Sequence, residues 1–339
     1  MNTFRPIQII GTQRSGSNLL RLMLNQFSQI SAPHPPHLLK TFVPLLPYYG
    51  NLDNQSFSQL SSDVVEYVNT NPVPWEMELS PEEVVKRCRS KNIFEVLRVI
   101  YQAKAEYDGA VIWCSKSMHN AYYYQQLEVH RIQPFYIYLY RDGRDVAASF
   151  RKTVIGPKHA FHIAKKWQED QLKAKEVHDR VGESRFFSIK YEELVQQPER
   201  IIRGLCNAIR LPYSQEVMNF YNSHESIITA SSGRMWSNLT KPIMSNHYGM
   251  YKNELNAEDI NIFEMIAGNV LKSLNYNNLD DFGGEKRLFS DSEIERFNLE
   301  NKKMMEEVRR HAPEQDMKRR SKQEHLLQTI KDRLSVPQS

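Results

Sequence analysis

Cysteine is scarce: Cys88, Cys114 and Cys206 are the three in 339 residues, odd in number and widely separated. Neither a disulfide framework nor a metal site is built that way, and a reducing compartment is the natural setting. No run of about 18 apolar residues exists to cross a membrane. Strand-like sequence begins by Pro6, leaving no room for a signal peptide, so a cytoplasmic protein is expected. Internal repeats and low-complexity tracts are absent too.

Net charge is also small, +4 from 44 Lys and Arg against 40 Asp and Glu. Residues 302 to 333 hold ten basic and six acidic side chains, a surplus of four, so residues 1 to 301 are formally neutral. A neutral body argues against nucleic acid as a partner, because such binding draws on many phosphate contacts. Any anion the protein holds must be held locally. The length suits one large domain or two small ones, and 40% hydrophobic with 25% charged residues is ordinary for a globular chain.

Apolar runs alternate with helical spacing along most of the chain. "PIQII" (6–10), "AVIWCSK" (110–116), "FYIYLYR" (135–141) and "RFFSIKY" (185–191) read as buried strands. Helices are expected at about 15–28, 81–107, 120–131, from Asp145, and over 159–181 and 198–209. "SAPHPPHLLK" (31–40) is a stiff loop, since Pro33, Pro35 and Pro36 remove donors and exclude helix before them. This alternation predicts an α/β fold: a P-loop-like three-layer core with a mostly parallel sheet flanked by helices.

Two segments carry chemistry. In "IQIIGTQRSGSNLL" (7–20), Gly11 and Gly16 have the spacing of a loop whose N–H groups turn inward toward an anion at a helix start. Glycines alone would also serve an ordinary turn. Arg14, Ser15, Ser17 and Asn18 add more donors than a turn needs. Ser17 stands where a nucleoside-triphosphate loop has its Lys, and no strand ends in a metal-holding Asp, so ATP with magnesium fits poorly. The second segment is "YRDGRDVAASF" (140–150). Arg141 ends a buried strand, where ligands sit in open α/β sheets, and Ser149 follows about two helical turns on. By itself this could be a surface turn whose charges pair with one another.

Together, "QRSGSNLL" and "YRDGRDVAASF" resemble the paired signature of the sulfotransferase family, and the likeness extends over roughly residues 6 to 277, nearest the bacterial and tyrosylprotein-type branches. The resemblance implies 3′-phosphoadenosine 5′-phosphosulfate as co-substrate and no required metal. It implies that Arg14, Ser15, Gly16, Ser17 and Asn18 hold the 5′ end of that nucleotide, with Arg141 and Ser149 on its 3′-phosphate. "IKYEEL" and "NLTKPI" are similar to later parts of the family and imply Tyr191 and Lys241 near the donor. Lys116 matches a Lys of the family and would help Arg14 neutralise charge; alone it reads equally as a solvated strand-end residue.

A base must take the proton from the acceptor. Branches with this loop often use a Glu about twenty residues after the loop Arg, by family resemblance, but here that position offers His34 and His37. The small-molecule branch uses a His after the Lys-bearing strand, and His119 lies one residue from that spacing. His34, in the proline-braced loop, is taken as the base. His37 and His119 read first as loop or cap residues. An unperturbed imidazole would place the acid limb of activity around pH 6–7. The acceptor is a hydroxylated compound of unspecified class. A small-molecule P-loop kinase and a non-catalytic nucleotide-binding module are the alternatives.

The chain is expected to divide into residues 1–284, the α/β domain, and 285–339, a charged helical C-terminal extension with helices at 290–311 and 320–334. Leu326, Leu327, Ile330 and Leu334 form one apolar stripe there, which implies docking on the body or on a second copy in a homo-oligomer. No Arg-Lys-Gly segment of the kind that closes the nucleotide site in the small-molecule branch is present.

Overall fold

Strand β1 (Ile7–Gly11) runs through the centre of the molecule with every residue buried. The computed structural model describes residues 6–276 and 288–335. It places β1 in a five-stranded parallel sheet with β2 (Ile30–Ser31), β3 (Ile112–Ser115), β4 (Phe135–Tyr140) and β5 (Phe186–Lys190), in the order β2-β3-β1-β4-β5. Ile9 pairs with Ile137, and Ile137 with Phe187.

Successive side chains of a strand face opposite ways, and here both faces are covered. Ile9, Ile137 and Ile189 pack with Leu20 and Leu24 of the helix Ser17–Leu24 and with Ile202 and Leu205 of the helix Pro198–Ile209. Ile10, Tyr136 and Tyr138 pack on the other face, against Ala174 and Val177 of the helix Ala160–Val181. That is why the strands read as continuous apolar runs, and it is the expected three-layer architecture. Strand order reverses beside β1: β3 lies on one side and the chain then crosses to β4 on the other. A crevice opens at such a switch point, at the carboxyl ends of the strands.

Two local expectations are corrected. Residues 81–107 form two helices, Pro81–Arg87 and Ile93–Tyr107, because Cys88 leaves helical geometry and Asn92 starts a new helix by accepting a bond from the Glu95 N–H at 2.9 Å. Strand β2 escaped the sequence reading, since two residues are too few to show a period.

The C-terminal segment folds as the helices Asp291–Arg310 and Glu314–Ser335. The first inserts Phe297 beside Phe161, ring centroids 5.2 Å apart. The second lays Leu326, Leu327, Ile330 and Leu334 on the cluster built around the helix Asn54–Asn69, with Ile330 buried. The apolar stripe therefore docks on the chain's own body. The boundary expected at 284/285 lies outside the described residues. Among the described residues no helix is long and apolar enough to cross a membrane.

Candidate functional site

Between β1 and the first helix the backbone takes positive φ three times in six residues: 127° at Gly11, 72° at Arg14 and 90° at Gly16. Such a turn directs successive N–H groups into one concavity. Gly16 occupies the N-cap position and so provides no side-chain cap, which leaves the start of the helix Ser17–Leu24 open to an outside acceptor. Gly16 also passes over the ring of Tyr191, and a Cβ there would lie 2.5 Å from it. Gly16→Ala is accordingly expected to lower unfolding stability by about 1–2 kcal/mol from backbone strain alone. It should also push Tyr191 out of place. Urea denaturation and the Tyr191 position in a crystal of the variant check both effects.

A cavity of about 400 Å³ opens over this loop at the switch point. The guanidinium of Arg14 lies in its wall and its Nε donates to Ser149 Oγ at 3.1 Å. Burial, then the charge of Arg141, brings the Arg14 pKa down to about 10. Arg141 leaves β4 and stacks over Tyr191, its Cζ 4.4 Å from the ring centroid. Its Nη2 donates to the His247 carbonyl at 3.0 Å and pairs with Asp145 at 3.3 Å, while its buried Nε has no hydrogen-bond partner among the described residues. The charges of 141–145 do pair with one another, as a surface turn's would. Yet they are buried, and they divide: Arg141 faces the cavity, whereas Arg144 turns away to Asp142 and Glu264.

The proline-rich loop crosses the opposite wall. Its path is set by the His34 carbonyl, which accepts from Trp75 Nε1 at 2.7 Å and Asn71 Nδ2 at 3.1 Å. The His34 ring meets Trp236 edge-on at 5.0 Å, and neither ring nitrogen has a hydrogen-bond partner among the described residues. Burial, then the charges of Lys116 and Arg21, hold its pKa well below the ordinary imidazole value. Lys116 follows β3 into the same cavity, nearly buried, with no hydrogen bond or ion pair to its ammonium among the described residues. Burial, reinforced by Arg21 and Arg14, pushes its pKa far down. An ammonium stripped of water and given no counter-charge is in a place suited to an incoming anion.

The structure thus brings Arg14, Gly16, Ser17, Asn18, His34, His37, Lys116, Arg141, Ser149, Tyr191 and Lys241 to one cavity. His37 starts the helix Leu38–Phe42 in left-handed geometry, and burial and Lys116 bring its pKa to about 3. Two candidates fall outside the cavity lining. The Ser15 hydroxyl is fully buried with no hydrogen-bond partner among the described residues, and His119 stacks on Tyr122 at 4.6 Å, its pKa lowered by burial to about 4. Sequence reasoning missed Arg21, which is wholly buried and grips the Asn18 Oδ1 at 3.3 Å, the Ala32 carbonyl at 2.8 Å and Glu225 at 2.6 Å. It ties the helix start at Asn18 to the start of the proline loop at Ala32. It also missed Trp236, Lys40, Arg320 and Gln323 in the lining. A second cavity of about 650 Å³ shares Arg14, Arg141, Ser149 and His247 with the first. Among the described residues no group of three or more His, Cys, Asp or Glu is arranged to hold a metal ion.

Comparisons with known proteins bear on the family and the fold. Residues 6–215 match the model of the Sulfotransferase family. The fold is similar to that of a sulfotransferase domain from the Synechococcus PCC 7002 olefin synthase, at 20% identity and a TM-score of 0.53, covering 79% of this chain and 97% of that one. It is similar also to a sulfotransferase domain from the curacin biosynthetic pathway, at 21% identity and a TM-score of 0.52, covering 80% and 98%. An uncharacterized protein of Aquifex aeolicus (strain VF5) is 24% identical over 237 residues, 67% of this chain; the chain spans 28% of that curated relative's length.

Proposed function

The chain belongs to the sulfotransferase family, and on that premise we propose that it moves a sulfuryl group from 3′-phosphoadenosine 5′-phosphosulfate to a hydroxyl or amine acceptor by in-line displacement. One observation carries this reading. Six cations (Arg14, Lys40, Lys116, Arg141, Lys241 and Arg320) and an uncapped helix start line one cavity, and no Asp or Glu is among its described lining residues. A site so unbalanced is built for a polyanion.

Arg14, Gly16, Ser17 and Asn18 hold the 5′-phosphosulfate on the turned-in loop, and Arg141 with Ser149 takes the 3′-phosphate. Ser15 contributes through its backbone in this scheme, its hydroxyl being sealed inside. Tyr191 supports Arg141 from below, and Lys241 flanks the donor. In the transfer, the bond from sulfur to the 5′-phosphate oxygen breaks as a bond from sulfur to the acceptor oxygen forms. The leaving oxygen takes the electron pair, and Arg14 and Lys116 offset the charge it gains. The acceptor's proton passes to an open nitrogen of His34. The sulfuryl group carries less negative charge than a phosphoryl group, so the protein's own cations suffice and no metal is required.

The closest competing reading is a small-molecule kinase. Calorimetry separates the two: adenosine 3′,5′-bisphosphate should bind more tightly than ATP, and without magnesium, because Arg141 and Ser149 recognise a phosphate that ATP lacks. Equal affinity for ATP, or a strict magnesium requirement, argues for the kinase. Transfer of ³⁵S from labelled donor to a panel of hydroxylated acceptors then separates an enzyme from a module that only binds the nucleotide.

A further inference from the structure

The cavity has more cation than its donor uses. Arg14, Lys116, Arg141 and Lys241 are assigned to the nucleotide. Arg320 and Lys40 are left; Arg320 lies by Trp236, and its charge acts on His34. Arg320 comes from the C-terminal helix Glu314–Ser335, outside the 6–215 region of the family match.

That helix is firmly placed. Positions 320, 323, 327, 330 and 334 recur at helical spacing and form one face. Leu327, Ile330 and Leu334 pack on the body, and Arg333 pairs with the buried Asp63. Gln323 donates to the Tyr67 carbonyl at 2.9 Å, and Arg319 to the Ser231 carbonyl. The docked face is apolar where it meets the core and turns polar where it crosses the cavity. There Arg320 lies half-buried, its Cζ 5.7 Å from the Trp236 ring centroid, with no hydrogen bond or ion pair among the described residues. The acidic neighbours on its own helix act on it through their charge, while their hydrogen bonds go to other groups: Asp316 accepts from the Arg234 N–H at 2.9 Å, and Glu324 from Arg309 at 3.4 Å.

We propose that the C-terminal helix completes the acceptor end of the cavity, and that Arg320 selects a hydroxylated acceptor that itself bears an oxyanion, a carboxylate or a phosphate or sulfate ester. Asp316 and Glu324 act on Arg320 through their charge, yet neither forms an ion pair with it, and a half-buried guanidinium with its fork left open is a planar oxyanion receptor. Its place by Trp236, which meets the His34 ring, beyond the cations assigned to the donor, puts it on the acceptor. The inference rests on the donor assignment above.

The test uses the full chain saturated with adenosine 3′,5′-bisphosphate, so that the donor cations are occupied. Benzoate and phenyl phosphate are titrated against phenol by calorimetry. At least one anion is expected to bind more tightly than phenol, and the stronger anion identifies the group preferred. Arg320→Ala and Arg320→Gln, the latter keeping a stem over Trp236, should each weaken that anion about tenfold or more. Arg320→Lys should recover part of the loss, and bisphosphate affinity should hold in all three. Anions that bind no better than phenol, or bind the Arg320 variants as well as the parent, overturn the acceptor assignment while leaving the donor assignment standing. Failure of the bisphosphate to bind the parent protein overturns the donor assignment and this one with it.

Discussion

His34→Ala is expected to lower kcat by roughly 10²–10⁴-fold, the usual contribution of a positioned general base. Affinity for adenosine 3′,5′-bisphosphate should be nearly unchanged, because His34 is assigned to the acceptor's proton and not to the nucleotide. The ring has the two properties a base needs here. Its nitrogens have no hydrogen-bond partner among the described residues, and its backbone is pinned by Asn71 and Trp75. His37→Ala should be milder, and His119→Ala milder still, since His119 is stacked on Tyr122 outside the cavity lining. Near-normal turnover without His34, together with an inactive His119 variant, would move the base to the end of β3.

The structure revises the pH expectation for that base. Burial, then Lys116 and Arg21, lower the His34 pKa, so the imidazole stays neutral and competent to a lower pH than the unperturbed 6–7 of the sequence reading. The sign of the donor's effect is opposite. A bound polyanion offsets Lys116 and Arg21, favours the imidazolium, and raises the His34 pKa relative to the free protein. A proton NMR titration of the His34 ring with and without the bisphosphate checks this directly. A pKa that falls or stays put on binding would mean that the nucleotide does not reach the cations that depress it.

Arg141→Ala is expected to weaken the bisphosphate by about 2–5 kcal/mol, the usual cost of truncating one partner of a buried charge pair. This corresponds to roughly 30-fold to several-thousand-fold in Kd. Arg141 also holds the His247 carbonyl and Asp145, and Asp145 in turn accepts from the Gly249 and Tyr251 N–H groups. Some of the loss could therefore come from the 247–251 segment. Arg141→Lys separates the contributions: it keeps the charge but not the fork, and should fall between wild type and alanine for the bisphosphate. The same variant should change adenosine 5′-phosphate binding less, because that ligand lacks the 3′-phosphate. Equal losses for both nucleotides would remove Arg141 from the 3′-phosphate.

Much of this site was legible in the chain. The Gly11–Gly16 spacing, the polar residues filling it and the Arg141–Ser149 interval are short-range patterns, and local chemistry is enough to read them. The strands were legible for a related reason: a sheet covered on both faces needs continuous apolar runs. Boundaries were harder. The break at Cys88–Asn92 depends on a single cap, and β2 on a two-residue pairing with β3. His34 could be singled out because prolines announce a stiff loop, but His37 and His119 looked comparable until the fold turned His119 toward Tyr122.

The sequence by itself determined the layered α/β class, the family, and the two segments that line the candidate site, because each rests on residues close together along the chain. Only the tertiary structure decided what stands around that site. Arg21 is held by Glu225, 204 residues away, and Gln323 by the Tyr67 carbonyl, 256 residues away. Trp236 reaches His34 only because the loop and the later helices fold over the same crevice. A guanidinium in a charged C-terminal helix looks like any solvated arginine until packing of Ile330 and its neighbours settles which face points inward. Burial is a property of the assembled core, so the depressed pKa values of His34 and Lys116, and the place of Arg320 in the cavity lining, had no signature in local pattern.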